Sequence, residues 1–142
     1  MSITPRFVFS LLMALALPVA AAAQQANATS PAASAAKATP LMSKDLPDFA
    51  GKEVTMSTVE YAAGGTSAPH RHDAHTFVYV LEGSVVMQVA GGETVTLKPG
   101  QTFYETPADV HSISKNASAT APAKFLVFMI KDKGKPATRP AN

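Results

Sequence analysis

The sequence predicts a single all-β domain, and three observations carry that reading. Apolar and polar residues alternate along 52–64, "KEVTMSTVEYAAG", with Val54, Met56, Thr58 and Glu60 on one face and Thr55, Ser57, Val59 and Tyr61 on the other. Short strands then recur at spacings of about 8–12 residues, divided by turn signals from Gly83 through Gly91-Gly92 and Pro99-Gly100 to Pro107. No window between Thr55 and Lys131 reads as a helix long enough for a βαβ crossover. The choice lies among a sandwich, a barrel and a jelly roll, and periodicity alone does not make it.

The elements follow in order. The chain opens "MSITPRFVFSLLMALALPVAAAAQQ": Arg6, an apolar run from Phe7 to about Leu17, Pro18, and small residues Ala21 to Ala23. That is the layout of a secretory signal peptide over 1–23, with cleavage after Ala23 and a secreted or periplasmic product. The uncharged run to Ala23 is short of the roughly 20 residues of a membrane span, and no cysteine is present to carry a lipid. No stable membrane anchor is expected. Residues 24–40, rich in Ala, Ser, Thr and Pro, lack large apolar side chains and read as a flexible leader. Residues 41–130 form the domain, and 131–142, "KDKGKPATRPAN", read as a basic flexible tail.

Within the domain seven strands are expected. They are 52–64, "TFVYVL" (76–81), "SVVMQVA" (84–90), "ETVTL" (93–97), "QTFYET" (101–106), "VHSISK" (110–115) and "KFLVFMI" (124–130). The last is apolar on both faces, so it is expected to pack on the core and against something further, a partner subunit or the leader. About 90 residues make a small core, which favours a homodimer.

Composition excludes several functions. Without Arg6 the mature chain carries eleven basic and ten acidic side chains, a balance that gives no support for a nucleic-acid partner. The absence of cysteine excludes thiolate ligands, CxxCH haem attachment and a cysteine nucleophile.

The chemistry concentrates in "APHRHDAHTFVYVLEG" (68–83), which holds three of the four histidines. His70 and His72, two apart on an extended chain, share a face and can grip one ion. Two histidines in a solvent-facing loop are the plainer reading. His111, opening a later strand, is the histidine left to complete a set of three. Three imidazoles suit a divalent transition metal, with Fe, Ni, Mn, Zn and Cu all open.

These residues carry a resemblance to the cupins. Gly64 leads by five residues to His70-Arg71-His72, three more reach Thr76, and six further reach Gly83, the spacing of the first cupin motif. Gly100 to His111 matches the second, although Pro107 and Asn116 each stand one place late and Ala108 replaces the usual glycine. The resemblance spans about 52–130. It implies a double-stranded β-helix, a jelly-roll barrel, with metal ligands His70, His72 and His111.

One departure matters: Thr76 stands where the motif places a liganding glutamate. Three alternatives stay open. The centre uses three histidines alone, as in thiol dioxygenases of the wider superfamily. A different side chain steps in, His75 or Glu105. Or the metal is lost and the pocket kept. His75 and Glu105 are also the candidates for proton handling. Together with the leader, the resemblance implies an exported metal-binding protein, acting as a metal-dependent oxygenase on a small organic molecule. The alternatives are a non-catalytic module for a small molecule or metal, and a structural barrel without metal.

Overall fold

A computed structural model describes residues 36–141. The expected signal peptide, 1–23, and most of the leader lie outside the described residues. Eleven strands are present among them: β1 (Lys37–Asp45), β2 (Lys52–Tyr61), β3 (Thr66–Ser67), β4 (His70–Arg71), β5 (Ala74–Glu82), β6 (Val85–Val89), β7 (Val95–Leu97), β8 (Thr102–Glu105), β9 (His111–Asn116), β10 (Ala123–Asp132) and β11 (Arg139–Pro140). None of the described residues forms a helix long and apolar enough to cross a membrane.

The strands form two antiparallel sheets. One runs β1-β2-β10-β5-β8; the other runs β11-β4-β9-β6-β7, with β3 paired to β9. This bears out the all-β expectation and corrects the jelly-roll barrel, the double-stranded β-helix expected from the resemblance. Neither sheet closes on itself. The outer strands β1 and β8 do not pair with each other, nor do β11 and β7, so each hydrogen-bonded ladder stays open. The core draws on both layers, with Tyr61, Val78, Val80, Phe125, Val127 and Met129 from the first sheet and Val85, Met87 and Leu97 from the second.

Alternation decides which face of each strand meets that core. Along β5, Ala74, Thr76, Val78 and Val80 are buried while His75, Phe77, Tyr79 and Leu81 are exposed. Gly83 ends β5 at φ 69°, and a Cβ there would stand 2.5 Å from the Pro122 carbonyl oxygen, so only glycine fits this turn.

Two boundaries differ from the sequence reading. β1 includes Lys37 to Pro40, within the expected leader, because its backbone pairs with β2 over Lys37↔Glu60 to Asp45↔Glu53. Pro40 is tolerated because β1 is an edge strand, and the register shifts between Pro40 and Met42. In the expected tail, β10 extends to Asp132 and β11 lies beside β4.

Candidate metal centre

The two histidine-bearing segments meet through backbone register. His70 on β4 and His111 on β9 are direct cross-strand partners in the second sheet. In the first sheet, Thr76 on β5 is the cross-strand partner of Glu105 on β8. The chain passes from the second sheet to the first between β4 and β5, and back between β8 and β9. Both passages flank the same point, so the two cross-strand pairs belong to one site. His72 lies in the first passage, just before Asp73, the non-glycine residue with positive φ (49°).

His70, His72 and His111 each offer a nitrogen within 4.8 Å of the others. The His70 ring centroid lies 4.8 Å from that of His72 and 5.0 Å from that of His111. His70 Nδ1–H donates to the Ala68 carbonyl at 2.8 Å, and His72 Nδ1–H donates to the Ala137 carbonyl at 2.8 Å. Each bond fixes the tautomer and leaves Nε2 with a free lone pair, the arrangement that suits metal-ligating histidines. Burial pushes the His70 imidazole below its ordinary pKa, and the neighbouring His72 and His111 act in the same direction. The neutral ring, able to donate its lone pair, is thereby favoured.

Glu105 is 2% exposed and faces the histidines. Its Oε1 lies 3.2 Å from His111 Nδ1 and its Oε2 lies 3.8 Å from His72 Nε2. Among the described residues, four buried side-chain atoms lack any hydrogen-bond partner: Thr76 Oγ1, Glu105 Oε1, His111 Nδ1 and His111 Nε2. All four belong to the two cross-strand pairs. Buried polar groups are ordinarily satisfied, and an orphan costs roughly 1–3 kcal/mol. A bound cation would take one nitrogen from each histidine together with the Glu105 carboxylate, while the second His111 nitrogen keeps its proton, so the residues fit a metal ion.

The site opens on a cavity of about 570 Å³. Its walls include Val59, Val78, Phe125, Val127 and Met129, and Glu105 is the carboxylate among its lining residues. The other sequence candidates fall as follows. His75 lies on the outer face of β5, where its Nδ1 hydrogen-bonds the Tyr104 hydroxyl at 2.7 Å, apart from the cluster. Arg71 donates to the Ala108 carbonyl at 2.8 Å. Asn116 donates to the carbonyls of Ala62 and Ala121 and accepts from the Ser118 amide, so it fastens a turn. Sequence reasoning missed Ala137 to Pro140, which line the cavity, and Asp73 beside them. Their role arises from contacts across more than sixty positions, and no local pattern signals it.

The family described as "Cupin domain" matches residues 57–129. No curated protein matches the sequence. Among solved structures, the chain is similar to the DMSP lyase DddQ from Ruegeria pomeroyi DSS-3, with a TM-score of 0.54 and 19% identity over 62% of this chain and 43% of that one. It is similar to the polyketide cyclase RemF from Streptomyces resistomycificus, with a TM-score of 0.56 and 24% identity over 75% of this chain and 71% of that one. It is also similar to an oxalate oxidase in complex with the substrate analogue glycolate, with a TM-score of 0.58 and 21% identity over 80% of this chain and 57% of that one. At these identities the likenesses establish the fold. The chain spans less than half the length of the lyase.

Proposed function

The chain belongs to the cupin domain family, and from that premise we propose that it is an exported, metal-dependent enzyme of the oxygenase type. Its substrate in this reading is a small, largely apolar organic molecule bearing an oxygen-containing group. The observation that carries the proposal is the convergence of four orphaned buried polar atoms with three histidines whose ligand nitrogens lie within 4.8 Å. His70, His72 and His111 would hold the ion, with Glu105 beside them supplying the carboxylate that Thr76 cannot. When bound, a transition metal supplies Lewis acidity and a meeting point for dioxygen and substrate. The apolar walls seat the body of the substrate and keep water from the reacting group. The other charged side chain in the lining is Arg139, and its guanidinium is engaged by Asp73. A substrate with little charge of its own suits these walls.

A second reading, capture without turnover, is favoured by one observation. Glu105 is the carboxylate lining the cavity, and if it holds the ion it is not free to move protons.

Metal analysis of untagged protein tests the centre. Wild type is expected to retain a transition metal, and His70→Ala and His111→Ala to lose it. Unchanged metal content in these variants would sink the site. Oxygen uptake with a panel of enols, diketones and thiols then separates the readings. Consumption that depends on metal and substrate supports the enzyme, and metal without consumption leaves capture.

A further inference from the structure

We propose that residues 133–140 form a strap that positions His72 and closes this side of the cavity, with Arg139 and Asp73 as its latch. The consequence for metal retention rests on the metal reading above; the claim about the His72 ring does not.

The root of the strap is fixed by a buried polar cluster. Lys131 Nζ donates to Glu53 Oε1 at 2.5 Å and to the Lys135 carbonyl at 2.6 Å. The Gly134 amide donates to Glu53 Oε1 at 2.9 Å, and Ser43 Oγ donates to Glu53 Oε2 at 3.1 Å. Lys131 and Glu53 are both buried.

From that root the chain runs over the site. The Ala137 carbonyl accepts the His72 Nδ1–H, Thr138 Oγ1 lies 3.5 Å from the same nitrogen, and β11 pairs with β4 through Arg139↔Arg71 and Pro140↔His70. At the distal end, Arg139 Nε and Nη2 donate to Asp73 Oδ2 and Oδ1 at 2.5 and 2.8 Å, a two-point clasp. Asp73 is the left-handed residue directly after His72, a conformation aspartate tolerates better than most.

The two ends differ in strength. The root is buried, whereas the Arg139 and Asp73 side chains are 43% and 46% exposed, open to solvent and to screening by salt. The strap therefore loosens first at the latch. The histidines differ correspondingly. His70 takes its acceptor from Ala68, two residues away in the chain, whereas His72 takes its acceptor from Ala137, 65 residues away on the strap. Releasing the latch frees the His72 imidazole to turn and to change tautomer, and leaves His70 as it was. Arg139 and Asp73 are thus positioning residues acting through Ala137.

The test has two arms. In metal-free protein, ¹⁵N NMR of the imidazoles reads the tautomers directly. Wild-type His72 is expected to carry its proton on Nδ1. Arg139→Ala, and a chain ending at Lys135, are expected to give a tautomer mixture at His72 with His70 unaltered. In the second arm, cobalt(II) is loaded and its transfer to a chelator is timed. Arg139→Ala is expected to release it about 10-fold faster, the lower end of what disturbing the partner that orients a ligand costs in affinity, because Arg139 acts through Ala137. The charge-swapped pair Asp73→Arg with Arg139→Asp is expected to recover part of the loss. An unchanged His72 tautomer in Arg139→Ala overturns the strap, even if the truncated chain fails to fold. Wild type that binds no cobalt overturns the metal reading alone, since the tautomer arm still decides the strap.

Discussion

Two buried polar clusters face the same cavity and are built on opposite logic. In one, the Tyr61 hydroxyl lies 2.7 Å from Ser67 Oγ and 2.8 Å from Ser114 Oγ, and donates to the Ser114 carbonyl at 3.2 Å. Those three side chains satisfy one another. In the other, Thr76, Glu105 and His111 present four buried atoms with no partner, although Glu105 Oε1 and His111 Nδ1 stand 3.2 Å apart. Burial is similar in the two: Tyr61 is 1% exposed, Glu105 2% and His111 3%. Desolvation therefore does not separate them; completeness does. A closed hydroxyl network needs nothing more and reads as part of the fold. An open set of imidazoles and a carboxylate is a place prepared for a ligand, held at a cost in stability.

Replacing Glu105 by Met breaks the comparison at its strongest point. The substitution removes an orphaned carboxylate and keeps an apolar side chain of similar length. Metal affinity is expected to fall by about 100-fold, the upper end of what losing a supporting group near a metal costs. Thermal melts of the metal-free protein are expected to move the other way, with a gain of about 1–3 kcal/mol from deleting the unsatisfied group. Glu105→Met protein that is less stable without metal and binds it as before would show that the carboxylate is structural.

Tyr61→Phe is the counterpart, with a smaller effect of opposite sign. The hydroxyl is lost while Ser67 and Ser114 stay buried or half-buried nearby. A loss of about 1 kcal/mol is expected, measured by denaturant unfolding, with metal content unchanged. Loss of metal without loss of stability would join the hydroxyl cluster to the site.

How far the sequence reveals each cluster follows from what each depends on. The histidine pair is legible because His70 and His72 are close in sequence and the strand period puts them together. Placing His111 opposite His70 needed a second motif and a backbone register. Glu105 is legible as a candidate ligand or base on a nearby strand. Its position across from the aberrant Thr76 is a property of β5–β8 pairing, which a single sequence does not display. In sequence the strap reads as a flexible tail for the same reason. Its composition is polar and proline-rich, and what orders it are partners far along the chain: Glu53, His72 and Asp73. The expected barrel failed on a similar point, since alternation specifies which residues face inward but not whether the outermost strands of a sheet meet.

His75 gives the smallest expected effect and the sharpest check on parity. It is adjacent to Thr76 in sequence, and from sequence alone it is a candidate both to ligate and to move protons. In the structure the period of two carries it to the outer face of β5. There its ring stacks on Tyr104 with 6.1 Å between centroids, and Phe77 and Tyr79 share the exposed face. His75→Ala is therefore expected to shift stability by no more than about 0.5 kcal/mol, as for other exposed positions, and to leave metal content and metal-dependent oxygen uptake at wild-type values. Sedimentation of the same variant reads any change in self-association through that face. A fall in bound metal on losing His75 would place the ring inside, and would mean that Asp73 turns the chain differently from the geometry described.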